Sequence, residues 1–202
     1  MRTCVLGFGV LERSNESVPK DRINPSWAGP GLPGDAGGRG RSRSAMPITY
    51  RKGDATAPEG DGPTVIVHVC NDAGKWGKGF VLAVSRRWSK PERIYRAAFA
   101  EPPFPQLGDV QFVPVTPTIT VANLIGQHGV RTARGKAPPP VRYPAIREGL
   151  QKVATFARER AASIAMPRIG CGLAGGDWDD IEPVIEETLG AQGIPVSVYD
   201  LP

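Results

Sequence analysis

The sequence predicts an α/β domain: a central mixed sheet of about six strands with helices over both faces. Three observations carry this. From residue 46 onward, strand-like runs rich in β-branched residues alternate with amphipathic, helix-like segments. One run, TVIVHVCN at 64–71, is almost continuously apolar, as a strand buried on both faces should be. Two glycine-rich stretches, CNDAGKWGKGF and PRIGCGLAGGDW, each follow a strand-like run, where α/β sheets gather their ligands.

The elements follow in order. ITYRKGD (48–54) reads as a strand, and TVIVHVCN as the second. GFVLAVSRRW (79–88) has helical spacing, and Pro91 suits the first turn of a further helix over ERIYRAAFAE. DVQFVPVT and TITVANLIGQ are two strands joined at a TPT turn. A loop rich in Gly, Lys, Arg and Pro, HGVRTARGKAPPPVRY, comes next. AIREGLQKVATFARERA is an amphipathic helix with Ile146, Leu150, Val153, Ala154 and Ala157 on one face. SIAMPRI is a strand, WDDIEPVIEETLG a helix and IPVSVYDL a last strand. The chain has no internal repeat.

Composition narrows the class. Of 202 residues, 40% are hydrophobic and 22% charged, ordinary for a globular domain, and no run approaches the roughly 20 apolar residues of a membrane span. The first residues have a short apolar patch but lack a small-residue cleavage site, so they do not read as a signal peptide. Cys4, Cys70 and Cys171 are odd in number and form no CxxC pair, and only His68 and His128 are histidines, which argues against a disulfide framework or a zinc site. A cytoplasmic protein is expected. Net charge is +5, and residues 1–45 supply +3 of it, with seven Arg or Lys against four Asp or Glu. That segment, rich in Gly, Pro, Ser and Arg, reads as a disordered tail. Met46 is a candidate start of translation, with residues 1–45 then a start-site artefact. The folded part, 46–202, shows no dense basic stripe interleaved with aromatics, so the charge is a weak pointer to nucleic acid.

Function is sought in the loops. Gly53-Asp54, the stretch from Asn71 through Gly77 and Gly79, and the stretch 167–178 all end strands. Glycine loops let backbone N–H groups approach an anion closely. Two at one sheet edge could clasp the two phosphates of a diphosphate. Gly170-x-Gly172-x-x-Gly175 matches the dinucleotide fingerprint by pattern, but it falls too late: position 190 is a glycine and one strand remains. No Gly-Lys-Ser/Thr follows, so it is not a P-loop either. Asp177, Asp179 and Asp180 suit a helix N-cap and first turn but would repel a phosphate there. The anion is therefore expected on the amides of 170–175.

These motifs resemble the macrodomains, which are ADP-ribose-binding α/β/α domains. The resemblance rests on ITYRKGD, HVCNDAGKWGKGF, ANLIGQHG, MPRIGCGLAGGDW and a terminal VYDL, and runs from about Ile48 to Leu201. It is nearest the branch of terminal ADP-ribose protein glycohydrolase and the ADP-ribose-1″-phosphate phosphatases. It implies a three-layer α/β/α sandwich and a set of ligand contacts. Asp54, with Ala55 beside it, matches the acidic residue at adenine. Asn71 matches a position near the distal ribose. Gly77 and Gly79 match the first phosphate loop. Arg168, Ile169, Gly170, Cys171, Gly172, Leu173 and Ala174 match the second. Leu201 lines the adenosine end, and Tyr199 is placed near the adenine.

The sequence also departs from that branch. In the glycohydrolase a lysine at the end of the fourth strand attacks the sugar and an aspartate in the glycine-rich loop assists. Gln127 and Ala174 stand at those positions here. An amide cannot form the covalent adduct, and an alanine is neither acid nor base. The nearest carboxylates are Asp177 and Asp72. The expected activity is therefore hydrolysis of ester-linked mono-ADP-ribose on glutamate or aspartate, without cofactor, metal or lysine nucleophile. Asn71, Gln127 or Asp177 would orient the water, and the phosphate clamp would hold the sugar in reach. Partners are ADP-ribose and mono-ADP-ribosylated protein, with ADP-ribosylated DNA, ADP-ribose-1″-phosphate and a binding-only reader as alternatives; a monomer is expected. Plainer readings stand beside these. Asp177 is also a natural N-cap, Asn71 a turn residue, and Gln127-His128 a pair that satisfies backbone groups. His68 reads as a packed, hydrogen-bonded histidine, and Cys70 and Cys171 as small buried hydrophobes. Trp76 and Phe80 either flank the sugar or belong to the core.

Overall fold

The computed structural model describes residues 45–131 and 138–201. The tail expected over residues 1–45 lies outside these but for Ala45, as does the middle of the basic loop.

Six strands form one sheet in the order β1-β6-β5-β2-β4-β3. They are β1 (Thr49–Lys52), β2 (Thr64–Asn71), β3 (Val110–Pro114), β4 (Ile119–Gln127), β5 (Ser163–Pro167) and β6 (Val196–Asp200). All neighbouring pairs are parallel except β3 with β4, which the TPT turn joins as an antiparallel hairpin. The sheet is mixed, as the sequence predicts. Four helices cover it: α1 (Phe80–Arg87), α2 (Lys90–Ala97), α3 (Tyr143–Glu159) and α4 (Trp178–Thr188).

The apolar run of β2 explains the layering. Val65 and Val67 point into one core, which Ile146, Leu150 and Val153 of α3 and Ile181 and Ile185 of α4 complete. Ile66 and Cys70 point into the other, with Val84 of α1 and Tyr95 of α2. Both faces are therefore dry, and the alternating side chains of a strand supply both. The predicted stripe of α3 is buried throughout. That helix rides close to β4 because Gly149 faces Leu124: an added Cβ would stand 2.5 Å from Leu124 Cγ.

Five parallel strands end at one sheet edge, so the loops after β1, β6, β5, β2 and β4 line up there in that order. From β1 to β4 is four strand spacings, roughly 19 Å. At the opposite edge a cavity of about 500 Å³ opens between Pro63, Ala157, Ser163 and Ile194. No histidine or carboxylate lines it. Among the described residues no helix is long and apolar enough to cross a membrane.

Candidate functional site

At the β1 end, Gly53 donates its N–H to the Asp200 carbonyl (2.8 Å) and hands the chain to Asp54. One Asp54 oxygen accepts from the Thr56 N–H at 2.8 Å, a local turn that fixes the carboxylate at an exposed position. Ala55 is buried beneath it, in the same core cluster as Tyr199. The Tyr199 hydroxyl accepts from the Glu59 N–H at 3.0 Å and so braces this loop from below. Leu201, just past β6, is 81% exposed.

The loop after β2 is tied by side chains. Asn71 Oδ1 accepts from the N–H groups of Ala73 and Lys75, both at 3.0 Å, and Nδ2 donates to the Lys75 carbonyl at 2.6 Å. The buried Tyr95 hydroxyl lies 2.6 Å from the Asn71 carbonyl and 3.1 Å from Oδ1. Its pKa is raised, chiefly by burial, so it stays a donor. Trp76 is core, not rim: its Nε1–H donates to Ser85 Oγ (2.8 Å), which donates to Glu92 (2.7 Å). Glu92 is held by Arg96 (2.8 Å), whose Nη2 donates back to the Trp76 carbonyl (2.7 Å). This ring of contacts joins α1, α2 and the loop. Gly77 and Gly79 are then left exposed, and half-buried Phe80 opens α1.

The loop after β5 is shaped by glycine. SIAMPRI leaves the sheet at Pro167, two residues sooner than the sequence predicts. Gly170, Gly172 and Gly175 adopt φ of 71°, 64° and 70°, the left-handed region glycine enters without a Cβ clash. Ile169, Gly170 and Ala174 are buried. Cys171 is half-buried and packs at the margin of the core cluster, short of the fully buried hydrophobe expected. Leu173 is 55% exposed and crosses to the first loop, where a Cβ on Gly79 would lie 3.2 Å from its Cδ1. The two glycine loops therefore meet midway along the sheet edge. Arg168 turns away from them. It grips Asp200 with Nε and Nη2 (2.7 and 2.9 Å) and lies about 5 Å from the ring centres of Tyr50 and Trp178. Asp177 caps α4, accepting from the Asp179 N–H at 3.1 Å.

At the β4 end, Gln127 lies beside Asn71 in register. Its Nε2 donates to the Gly129 carbonyl at 2.9 Å. Asp72 reaches across: Oδ1 accepts from the Gly129 N–H and Oδ2 from His128 Nδ1, both at 2.7 Å. Partial burial pushes the Asp72 pKa up, but those two bonds outweigh it and hold the carboxyl below its ordinary value. Read as a sequence, these two residues lie 56 positions apart and share no motif. The signal that could have joined them is that paired parallel strands end in Asn-Asp and Gln-His. Beyond them, Arg131 approaches the second glycine loop, 3.2 Å from where a Gly175 Cβ would stand.

His68 is buried beneath the first loop, as predicted. Its Nε2–H donates to Asn123 Oδ1 at 2.7 Å, Cys70 Sγ lies 3.7 Å from Nδ1, and the rings of Trp76 and Phe80 flank it. Among the described residues no group of three or more His, Cys, Asp or Glu side chains is placed to hold a metal ion.

The fold now has solved counterparts. A macrodomain protein from Streptomyces coelicolor is 54% identical, with a TM-score of 0.66, over 76% of this chain and 98% of its own. The chain belongs to the macrodomain family. A macrodomain relative from Chaetomium globosum, named ADP-ribose 1″-phosphate phosphatase, is 30% identical over 161 residues, 72% of this chain and 85% of its own. Mouse (Mus musculus) chromodomain-helicase-DNA-binding protein 1-like is 33% identical over 164 residues, 77% of this chain. The macrodomain spans only 18% of that relative's length. No family model matches the chain.

Proposed function

We propose that this macrodomain binds ADP-ribose and hydrolyses the ester that links mono-ADP-ribose to glutamate or aspartate side chains. One observation carries the reading. Two glycine loops meet at Gly79 and Leu173, midway between an exposed carboxylate at Asp54 and a polar cluster at Asp72, Gln127 and His128. A ligand with a diphosphate at its centre, adenosine at one end and a bare ribose at the other fits that layout. The Asp54 carboxylate would accept from the adenine amino group, beside Ala55 and Leu201. The backbone of Gly77, Gly79 and Arg168 to Ala174 would take the phosphates. The distal ribose would then fall by Phe80 and the β2 and β4 ends.

The anomeric ester has a carboxylate leaving group, so little acid assistance is needed. What the site must supply is position and an oriented water. Gln127 Oε1 and Asp177 Oδ2 are suited to hold that water, while Asn71, committed to its own loop, shapes the floor. The Chaetomium relative's name supports an ADP-ribose substrate and brings the 1″-phosphate forward as the second reading. Calorimetry with ADP-ribose, then release of label from glutamate-ADP-ribosylated protein, tests the proposal. Release from that protein supports it. Turnover of ADP-ribose-1″-phosphate or ADP-ribosylated DNA alone reassigns the substrate, and binding without turnover makes the domain a reader.

A further inference from the structure

We infer that His128, oriented by Asp72, is the general base that deprotonates the attacking water. This deepens the ester-hydrolase reading and rests on it. The pair sits where β2 and β4 end side by side, at the distal end of the row of loops.

The loop does not need the imidazole to hold its shape. Gly129 N–H already bonds Asp72 Oδ1, Gln127 Nε2 bonds the Gly129 carbonyl, and the His128 N–H bonds the Pro140 carbonyl at 2.8 Å. The Asp72 N–H is fixed on the Gln127 carbonyl at 3.0 Å. On that frame the His128 side chain is 64% exposed while its carboxylate partner is only 21% exposed. An accessible ring anchored by a sheltered anion is a poor stability device and a good base. The anion accepts the Nδ1 proton, which fixes the tautomer and leaves the Nε2 lone pair at the accessible end of the ring.

The step balances without a co-reactant other than water. Nε2 takes one proton as the water oxygen bonds to the anomeric carbon. The bond from that carbon to the ester oxygen breaks, and the side-chain carboxylate leaves with the electron pair. The imidazolium that forms is stabilised by Asp72 and later loses its proton to solvent. The products are ADP-ribose and a free carboxylate.

Asp72→Asn is the discriminating variant. Asparagine can still accept from the Gly129 N–H and can donate to His128 Nδ1, so both bonds survive. The ring must then carry its proton on Nε2, and the base is gone. The experiment measures ADP-ribose affinity, melting temperature and kcat on glutamate-ADP-ribosylated protein for wild type, His128→Gln, Asp72→Asn and His128→Ala with added imidazole. Expected are near-native affinity and melting, kcat reduced on the order of a hundredfold in all three variants, and partial recovery of His128→Ala by imidazole. Native kcat in His128→Gln or in Asp72→Asn overturns the base assignment and leaves the substrate reading standing. A wild type that binds ADP-ribose but does not release label overturns both. Loss of kcat matched by an equal loss of affinity, with no imidazole recovery, shows a structural tie and overturns the base assignment.

Discussion

The loop after β2 is held by side chains, and the loop after β5 by backbone shape. The first carries Asn71, whose amide makes three bonds to its own loop, and Trp76, which a relay through Ser85, Glu92 and Arg96 locks to two helices. The second is tied by side chains only at its ends, Arg168 to Asp200 and the Asp177 N–H to the Tyr143 hydroxyl, and among the described residues no side-chain hydrogen bond braces it between them. Its glycines turn left-handed and tuck under α3 and α4, so that a Cβ at Gly170 would meet Ile181 Cδ1 at 2.7 Å and Ile146 Cδ1 at 3.0 Å. Both solutions leave exposed residues where the loops meet, Gly79 on one and Leu173 on the other. The difference is in how each fails: one loses hydrogen bonds, the other gains a clash.

The largest effect should come from breaking the steric solution. Gly170→Ala adds a left-handed alanine, about 1–2 kcal/mol, to overpacking against Ile181, about 1–3 kcal/mol. Urea unfolding should show about 3 kcal/mol lost. Gly172→Ala is the control, because its φ is also positive at 64° but no atom lies within 4 Å. It should cost only the backbone term, about 1 kcal/mol, yet weaken ADP-ribose binding tenfold or more by standing a methyl group on the anion's side of the loop. Equal stability losses in the two variants would show that the packing beneath Gly170 contributes little.

The pH response of the floor under the first loop comes next. Burial lowers the His68 pKa from 6.5 to about 4, with the Asn123 bond opposing only in part. Above pH 6.5 the ring is neutral folded or unfolded and adds no pH dependence. As pH falls from 6.5 toward 4, the unfolded chain takes the proton first, so stability drops by an amount approaching about 3 kcal/mol. Melting curves between pH 7 and pH 4.5 should fall steeply for the wild type and less so for His68→Gln. Parallel curves would mean that the ring is already solvated.

Much of the fold could be read from the chain because its signals are local. The β-branched run of β2, the α3 stripe from Ile146 to Ala157 and the Asp177 cap each depend on neighbours in sequence. The glycine loops were visible for the same reason. What could not be read depends on which strands lie side by side. Asp72 meets His128 only because β2 pairs with β4, and Trp76 is locked only because α1 and α2 bring Ser85, Glu92 and Arg96 to one spot. A residue type alone also says little about direction. Arg168 belongs to the glycine loop by position, yet its side chain points to Asp200.

The polar solution should fail more gently. Asn71→Ala removes the acceptor for the Ala73 and Lys75 N–H groups and the donor to the Lys75 carbonyl. Water can reach a loop this near the surface, so a cost of about 2 kcal/mol is expected rather than the sum of three buried bonds. Affinity for ADP-ribose should fall more than stability, since the freed loop must be reordered on binding. A stability loss with unchanged affinity would separate this loop from the ligand.

Arg168→Ala should have the smallest effect and sharpens the comparison at its weakest point. The guanidinium pairs with Asp200 in a two-pronged contact, and that pairing lowers the Asp200 pKa. Both side chains are about 40% exposed, so solvent screens the pair and its loss should cost under about 1 kcal/mol. The rings of Tyr50 and Trp178 add a cation–π share of similar size at most, roughly 0.5–1 kcal/mol for exposed sites. If the second loop binds phosphate through its backbone alone, removing this cation should change ADP-ribose affinity less than tenfold. A larger loss in calorimetry would mean that the guanidinium leaves Asp200 for the ligand. The second loop would then also be held and charged by a side chain, and the contrast with the first would narrow to geometry.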